Sequence, residues 1–160
     1  MTKRPNILFI ITDQQRAADT GFMGNQVVRT PHLDALAARG TVFDNAWVAN
    51  PMCMPNRSTI MTGRMPSVHG VIFNDRSLEL GAATHVRQFR EAGYRTALFG
   101  KSHLQHGLSR NSVTEFDLAA TVDHGYGLGW DELENYELYE NGPPEFPDDF
   151  YGFGHVELSI

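Results

Sequence analysis

The sequence predicts an α/β fold, a mostly parallel sheet flanked by helices, and three observations carry that reading. Ile7-Leu8-Phe9-Ile10-Ile11 is an unbroken apolar run, the composition of a strand buried on both faces of a parallel sheet. A helix signature at Thr30-Pro31 and a second apolar segment at 41–48 follow it, giving the strand, helix, strand order of a βαβ unit. A third apolar run, from Tyr94 to Phe99, ends at Gly100. At 160 residues the chain has the size of one domain and can bury a core.

The first run ends at Thr12-Asp13-Gln14. Ligands of open α/β sheets bind at the carboxyl ends of strands, so Asp13 and Gln14 stand where a metal or phosphate site would be built. A solvated turn with Asp13 capping the next helix is the plain alternative. Residues 15–29 contain Gly21, Gly24 and Asn25 and read as an irregular connection, with Arg16 and Asp19 structural. Thr30 as N-cap, Pro31 at the first position, Leu33, Leu36 and Ala37 on one face and Gly40 as the stop predict a helix with His32 and Asp34 toward solvent. Residues 41–48 then form the second predicted strand, which delivers the chain to Pro51-Met52-Cys53-Met54-Pro55-Asn56-Arg57-Ser58-Thr59-Ile60-Met61-Thr62-Gly63-Arg64.

That stretch holds the only cysteine. Pro55 can open a helix at its first position and Gly63 can close it. Cys53 then lies at a helix N-terminus, where unpaired N–H groups favour an anion, with Arg57 about one turn further in. Taken alone, a lone Cys is more often a small buried hydrophobe than a reactive group. Residues 65–75 contain turn formers without a period and read as a loop, with His69 structural. A helix is predicted from Thr84 to Ala92 with Gly93 at its end, Val86 and Phe89 in the core and His85 exposed. After the third strand Gly100 permits a tight turn that carries Lys101 and His103 to one side. A Lys-x-His pair is by itself ordinary surface decoration. From Gln105 the pattern fades into loops at 123–127 and 140–144 and an acidic stretch from Glu132 to Glu140, read as solvated; His106, His124 and His155 receive no role.

Composition narrows the partners. A net charge of −6, with 13 basic residues spread without blocks, argues against nucleic acid and anionic membrane surfaces. A small molecule is the expected partner. One Cys rules out an internal disulfide, and no Cys/His cluster has zinc spacing. Five apolar residues before Asp13 are too few for a signal peptide or a membrane span, so a cytoplasmic location is expected.

Cys53-x-Pro55-x-Arg57 followed by Ser-Thr-Ile-Met-Thr-Gly-Arg resembles the signature of the sulfatase family, in which the Cys is oxidised after synthesis to Cα-formylglycine. Met54 and Asn56 depart from the small residues usual at those two places. Residues 93–104, from Gly93 to Leu104, resemble the family's second signature, and Thr30-Pro31-x-Leu33-Asp34-x-Leu36-Ala37 is also similar. The resemblance implies an alkaline phosphatase-like fold, of which this chain would be the N-terminal part. It implies sulfate-ester hydrolysis with Cys53 as formylglycine nucleophile and Asp13, Gln14 and the modified Cys53 as ligands of a divalent cation, calcium with manganese or magnesium as alternatives. Arg57 would hold the hydrated aldehyde. Lys101 and His103 would bind the sulfate and assist the leaving oxygen, with Asn74 as a further substrate contact. A formylglycine-generating or equivalent maturation enzyme is an implied partner, and a homo-oligomer remains open.

Two departures keep alternatives in play. Gln14 stands where sulfatases commonly carry a second Asp, and Gln14 with Asn74 leans toward the sibling phosphonate monoester or phosphodiester hydrolases. Lys101 and His103 lean toward sulfate. A non-catalytic module with an unmodified Cys53 is the third reading. Residues 1–104 are expected to hold the nucleophile and metal core, and 105–160 a loop-rich segment for specificity. The remaining metal ligands and a further His and Lys of the resembled family find no motif between Gln105 and Ile160, so the 160-residue chain alone is expected to bind metal weakly and turn over poorly.

Overall fold

The computed structural model describes residues 4–74, 76–107 and 132–159. It divides into two compact units, Met1–Ala46 and Trp47–Ile160. The predicted loop at 123–127, with His124, lies outside the described residues.

The first unit holds helix α1, Pro31–Ala37, and two single 3-10 turns, Ala17–Asp19 and Gly21–Met23. Pro31 sits at the start of α1 as its fixed φ suggests. Asp34 is not a solvent-side residue as expected. Its carboxylate accepts from the Phe22 N–H (2.8 Å) and the Thr30 hydroxyl (2.9 Å), while the Gly21 N–H donates to Thr30 Oγ1 (2.8 Å). Arg16 grips Asp19 through two hydrogen bonds, and that guanidinium holds the Asp19 carboxyl below its usual range.

The two strands expected to flank α1 are absent. Residues 7–11 and 41–48 have no strand pairing, and Leu8 is 83% and Trp47 90% exposed. The reason is that a strand buried on both faces is a property of its neighbours. Its N–H and C=O groups need a strand on either side and its side chains need covering layers, and apolar composition supplies neither.

The second unit contains α2 (Cys53–Thr62), α3 (Pro66–His69), α4 (His85–Glu91), and strands β1 (Ala97–Gly100) and β2 (His155–Leu158). Strand β1 is the third predicted strand, shortened to four residues, and it pairs in parallel with β2, Ala97 opposite His155 and Gly100 opposite Leu158. Strand β2 lies in the tail, where the sequence had suggested no strand. Its signal was present, since His155-Val156-Glu157-Leu158 alternates exposed and half-buried side chains, yet four residues are too few to establish a period. Residues 66–69, read as loop, make the single turn α3. For α4 the Thr84 hydroxyl oxygen accepts from the Arg87 N–H at 3.2 Å, an N-cap.

The core gathers Met54, Met61, Val71, Leu78, Leu80, Val86, Leu104, Phe150 and Tyr151. Tyr151 is fully buried, and its hydroxyl donates to the Leu78 carbonyl (2.5 Å) while its own carbonyl accepts from the Thr84 hydroxyl (2.7 Å). Gly152 follows with φ +97, and a Cβ there would stand 2.5 Å from the Arg87 amide nitrogen of α4. Only glycine accepts both the angle and the approach. Gly152→Ala is therefore expected to destabilise the protein by about 2 kcal/mol or more, read as a lower urea midpoint at unchanged slope.

Candidate active site

Helix α2 begins at Cys53 with Met52 as N-cap and Gly63, in the left-handed region, as C-cap. Pro55 is its third residue rather than its first. The missing N–H costs nothing there either, because no intrahelical acceptor exists for the first turn. Met52 supplies no side-chain cap. Asn74 does so from twenty residues away, its Oδ1 accepting from the Met54 N–H at 3.1 Å. The oxygen of that amide is thus committed to the helix, and a substrate-facing role for Asn74 falls to its NH2 donors. Cys53 is half-buried and forms no disulfide.

Arg57, one turn into the helix, is buried, and its Nη1 donates to the Lys101 carbonyl at 2.8 Å. This bond joins the helix of Cys53 to the turn that leaves β1. Gly100, at φ +90, ends the strand and starts that turn. Within it Ser102 is buried, Lys101 is exposed and His103 is half-buried. His103 has φ +51, a left-handed conformation that costs a non-glycine residue about 1 to 3 kcal/mol.

The bonds that hold this conformation come from a residue that the sequence reading left unassigned. The Glu134 carboxylate accepts from the backbone N–H of His103 on one oxygen, and from those of Leu104 (2.8 Å) and Gln105 (3.0 Å) on the other. Burial pushes the Glu134 carboxyl above its ordinary range, and the three backbone donors oppose that rise. The Tyr139 phenol, chiefly through burial and then through the charge of Glu134, is raised to about 12. No local sequence signal marks Glu134, which lies in an acidic stretch with several equivalent-looking neighbours.

His69 links α3 to α2 and serves structure, as the sequence suggested. Its Nδ1 accepts from the Val71 N–H (3.1 Å), so the ring is neutral with its proton on Nε2, facing Thr59 Oγ1 at 3.0 Å. Asp13 and Gln14 belong to the first unit. Gln14 has φ +53, left-handed like His103. Their carboxylate and amide oxygens are hard donors of the kind that suit calcium, magnesium or manganese. Among the described residues no group of three or more His, Cys, Asp or Glu is arranged to hold a metal ion, and no helix is long and apolar enough to cross a membrane.

Comparison with known proteins bears on this arrangement directly. The sulfatase family profile matches residues 5–151. The chain belongs to the sulfatase family. It is 36% identical over 143 residues to an ulvan-active sulfatase of Formosa agariphila, covering 89% of this chain and 28% of that protein. It is 36% identical over 146 residues to the human steryl-sulfatase, covering 82% and 25%. A solved structure in complex with its substrate D-glucosamine-2-N,6-O-disulfate superposes with a TM-score of 0.62 at 34% identity, over 64% of this chain and 21% of that one. The expected α/β, alkaline phosphatase-like class therefore stands. The chain spans about a quarter of the length of the curated relatives it matches.

Two outcomes follow from the site's scaffold. Asn74→Ala removes the side-chain acceptor of the Met54 N–H in the first turn of α2 and is expected to cost about 1 kcal/mol of stability in urea unfolding. Burial holds the His69 imidazole below its ordinary value of 6.5. A depressed His favours the folded state when neutral, so its contribution is full above pH 6.5 and is lost as pH falls from there toward the folded value. His69→Gln should flatten that part of the stability-versus-pH curve.

Proposed function

We propose that this protein hydrolyses sulfate esters, with position 53 as the seat of the nucleophile. The observation that carries the reading is the tie between α2 and the β1 turn. Arg57, on the helix that starts at Cys53, bonds the carbonyl of Lys101, which brings the nucleophile helix and the Lys101–His103 turn into one structure. Family membership and the match of both signatures supply the chemistry.

Conversion of Cys53 to Cα-formylglycine, together with a divalent cation, would supply the nucleophile and offset the charge of the sulfate oxygens. Asp13 and Gln14 are the residues that would hold the cation, calcium by the family resemblance, although their hard oxygens suit magnesium or manganese as well. The N–H groups at the start of α2 favour an anion beside position 53. Arg57 fixes the helix against the turn and adds a permanent positive charge near its N-terminal end. Lys101 and His103 would together bind the oxygens of the sulfate and assist the leaving oxygen. Asn74 would offer its NH2 to the same anion. The relatives' names range from ulvan to steryl, so the proposal stops at the ester class.

The second reading is the phosphonate monoester or phosphodiester branch, favoured by Gln14 and Asn74. Lys101 and His103 weigh against it, since the phosphonate branch tends to carry uncharged residues in place of that pair. In protein from its native host, kcat/KM is expected to be larger for an aryl sulfate than for an aryl phosphonate monoester or a phosphodiester; the reverse order overturns the proposal. The mass of the Cys53 peptide from that protein should show loss of sulfur and gain of an aldehyde oxygen. Cys53→Ala should abolish turnover, and Lys101→Ala should lower kcat/KM by about a hundredfold.

A further inference from the structure

The segment from Glu132 to Asn141 is fastened to the turn that follows β1. That turn presents the N–H groups of three successive residues, His103, Leu104 and Gln105, to one point, a backbone concavity that selects an anion. The anion there is the Glu134 carboxylate, buried and spent on those three donors. The Leu133 N–H donates to Gln105 Oε1 (3.1 Å) and the Tyr139 hydroxyl donates to the Leu133 carbonyl (3.2 Å). Asn135 Oδ1 accepts from the Glu137 N–H (3.1 Å) and starts the 3-10 turn Tyr136–Asn141. A ligand held at the turn after β1 therefore has this segment as a neighbour.

Charges are sorted across this junction. Arg57 holds the Lys101 carbonyl, so two permanent cations, Arg57 and Lys101, stand at the turn. The segment beyond has none, because no Lys or Arg follows Arg110 in the chain. Glu137 and Glu140 are both exposed. They stand three residues apart in a 3-10 turn, which puts them on one edge at a rise of about 6 Å. Tyr136, 60% exposed, and Leu138, 42% exposed, lie among them. The surface next to the turn is thus acidic and apolar, with no cation to receive a second anionic group.

We infer that this segment selects the alcohol half of the substrate: the ester carries one sulfate on an alcohol without a second anionic group, and Glu137 and Glu140 discriminate against polysulfated or carboxylated esters. This rests on the turn after β1 as the sulfate site proposed above. One sulfate is matched by the cations at the turn, while a further anion on the same molecule meets two like charges. Such repulsion acts across about 10 Å of water and depends on proximity, not on contact or on the direction of a side chain. Tyr136 and Leu138 offer an uncharged alcohol apolar surface between the two carboxylates.

The test pairs two aryl sulfates that differ by one charge, 3-carboxy-4-nitrophenyl sulfate and its methyl ester, in protein from its native host. At about 10 mM salt, where the screening length is about 30 Å, kcat/KM is expected to be about fivefold larger for the methyl ester. At about 1 M salt, with a screening length of about 3 Å, the difference should fall below about twofold. Glu137→Gln combined with Glu140→Gln should cut the low-salt preference to about twofold and leave kcat/KM for the methyl ester within about twofold of wild type. Equal turnover of the two esters, or a preference for the acid, overturns the inference. So does a preference that neither salt nor the Gln pair reduces, because it then comes from the acidity of the leaving phenol. If the wild-type protein turns over neither ester, the proposed function fails, and the inference is read from calorimetric binding of the same two compounds. Tighter binding of the methyl ester that salt and the Gln pair erode supports it; equal or undetectable binding overturns it.

Discussion

A turn that leaves a strand and stays buried must find partners for every peptide group it carries under the surface. Residues 101–106 face this requirement, and side chains from distant stretches meet it. Arg57 takes the Lys101 carbonyl, Glu134 takes the N–H groups of His103, Leu104 and Gln105, the Leu78 N–H takes the Leu104 carbonyl, and Ser77 Oγ takes the His106 N–H. The partners lie on three different segments of the second unit. Satisfying one turn therefore ties α2, the loop after α3 and the segment Glu132–Asn141 to the end of β1. A charge removed from this set would leave peptide groups buried without partners, which costs more than the bond itself is worth.

Helix α2 depends on the same logic. It carries no apolar stripe: Met54 and Met61 enter the core, but so do Arg57 and Ser58. Its placement comes from specific bonds at its ends and middle, with Asn74 at the first turn, Arg57 to Lys101, and Thr59 beside His69. A helix held this way has a defined N-terminus, and a defined N-terminus is what a reactive group at position 53 needs. The cost appears as left-handed non-glycine residues. Gln14 and His103 both carry proposed roles, and Tyr151, next to Gly152 in sequence, anchors the core.

Glycine and proline punctuation, the Thr84 cap and the two signatures are local, and the sequence alone was enough to locate α1, α2, α4, β1 and the family. Those features act within a few residues of themselves, through φ limits and orphan N–H groups, so no tertiary knowledge is needed to read them. The tertiary structure decided the rest. Residues 7–11 and 41–48 are apolar enough for buried strands, but pairing depends on neighbours, and they stand exposed. Strand β2 exists because Thr96 and β1 offer it a ladder across a long separation in sequence. Asn74 became a helix cap, Asp34 a bonded half-buried residue and Glu134 the anion of a backbone concavity, because hydrogen bonds between segments far apart in the chain leave no periodic trace in composition.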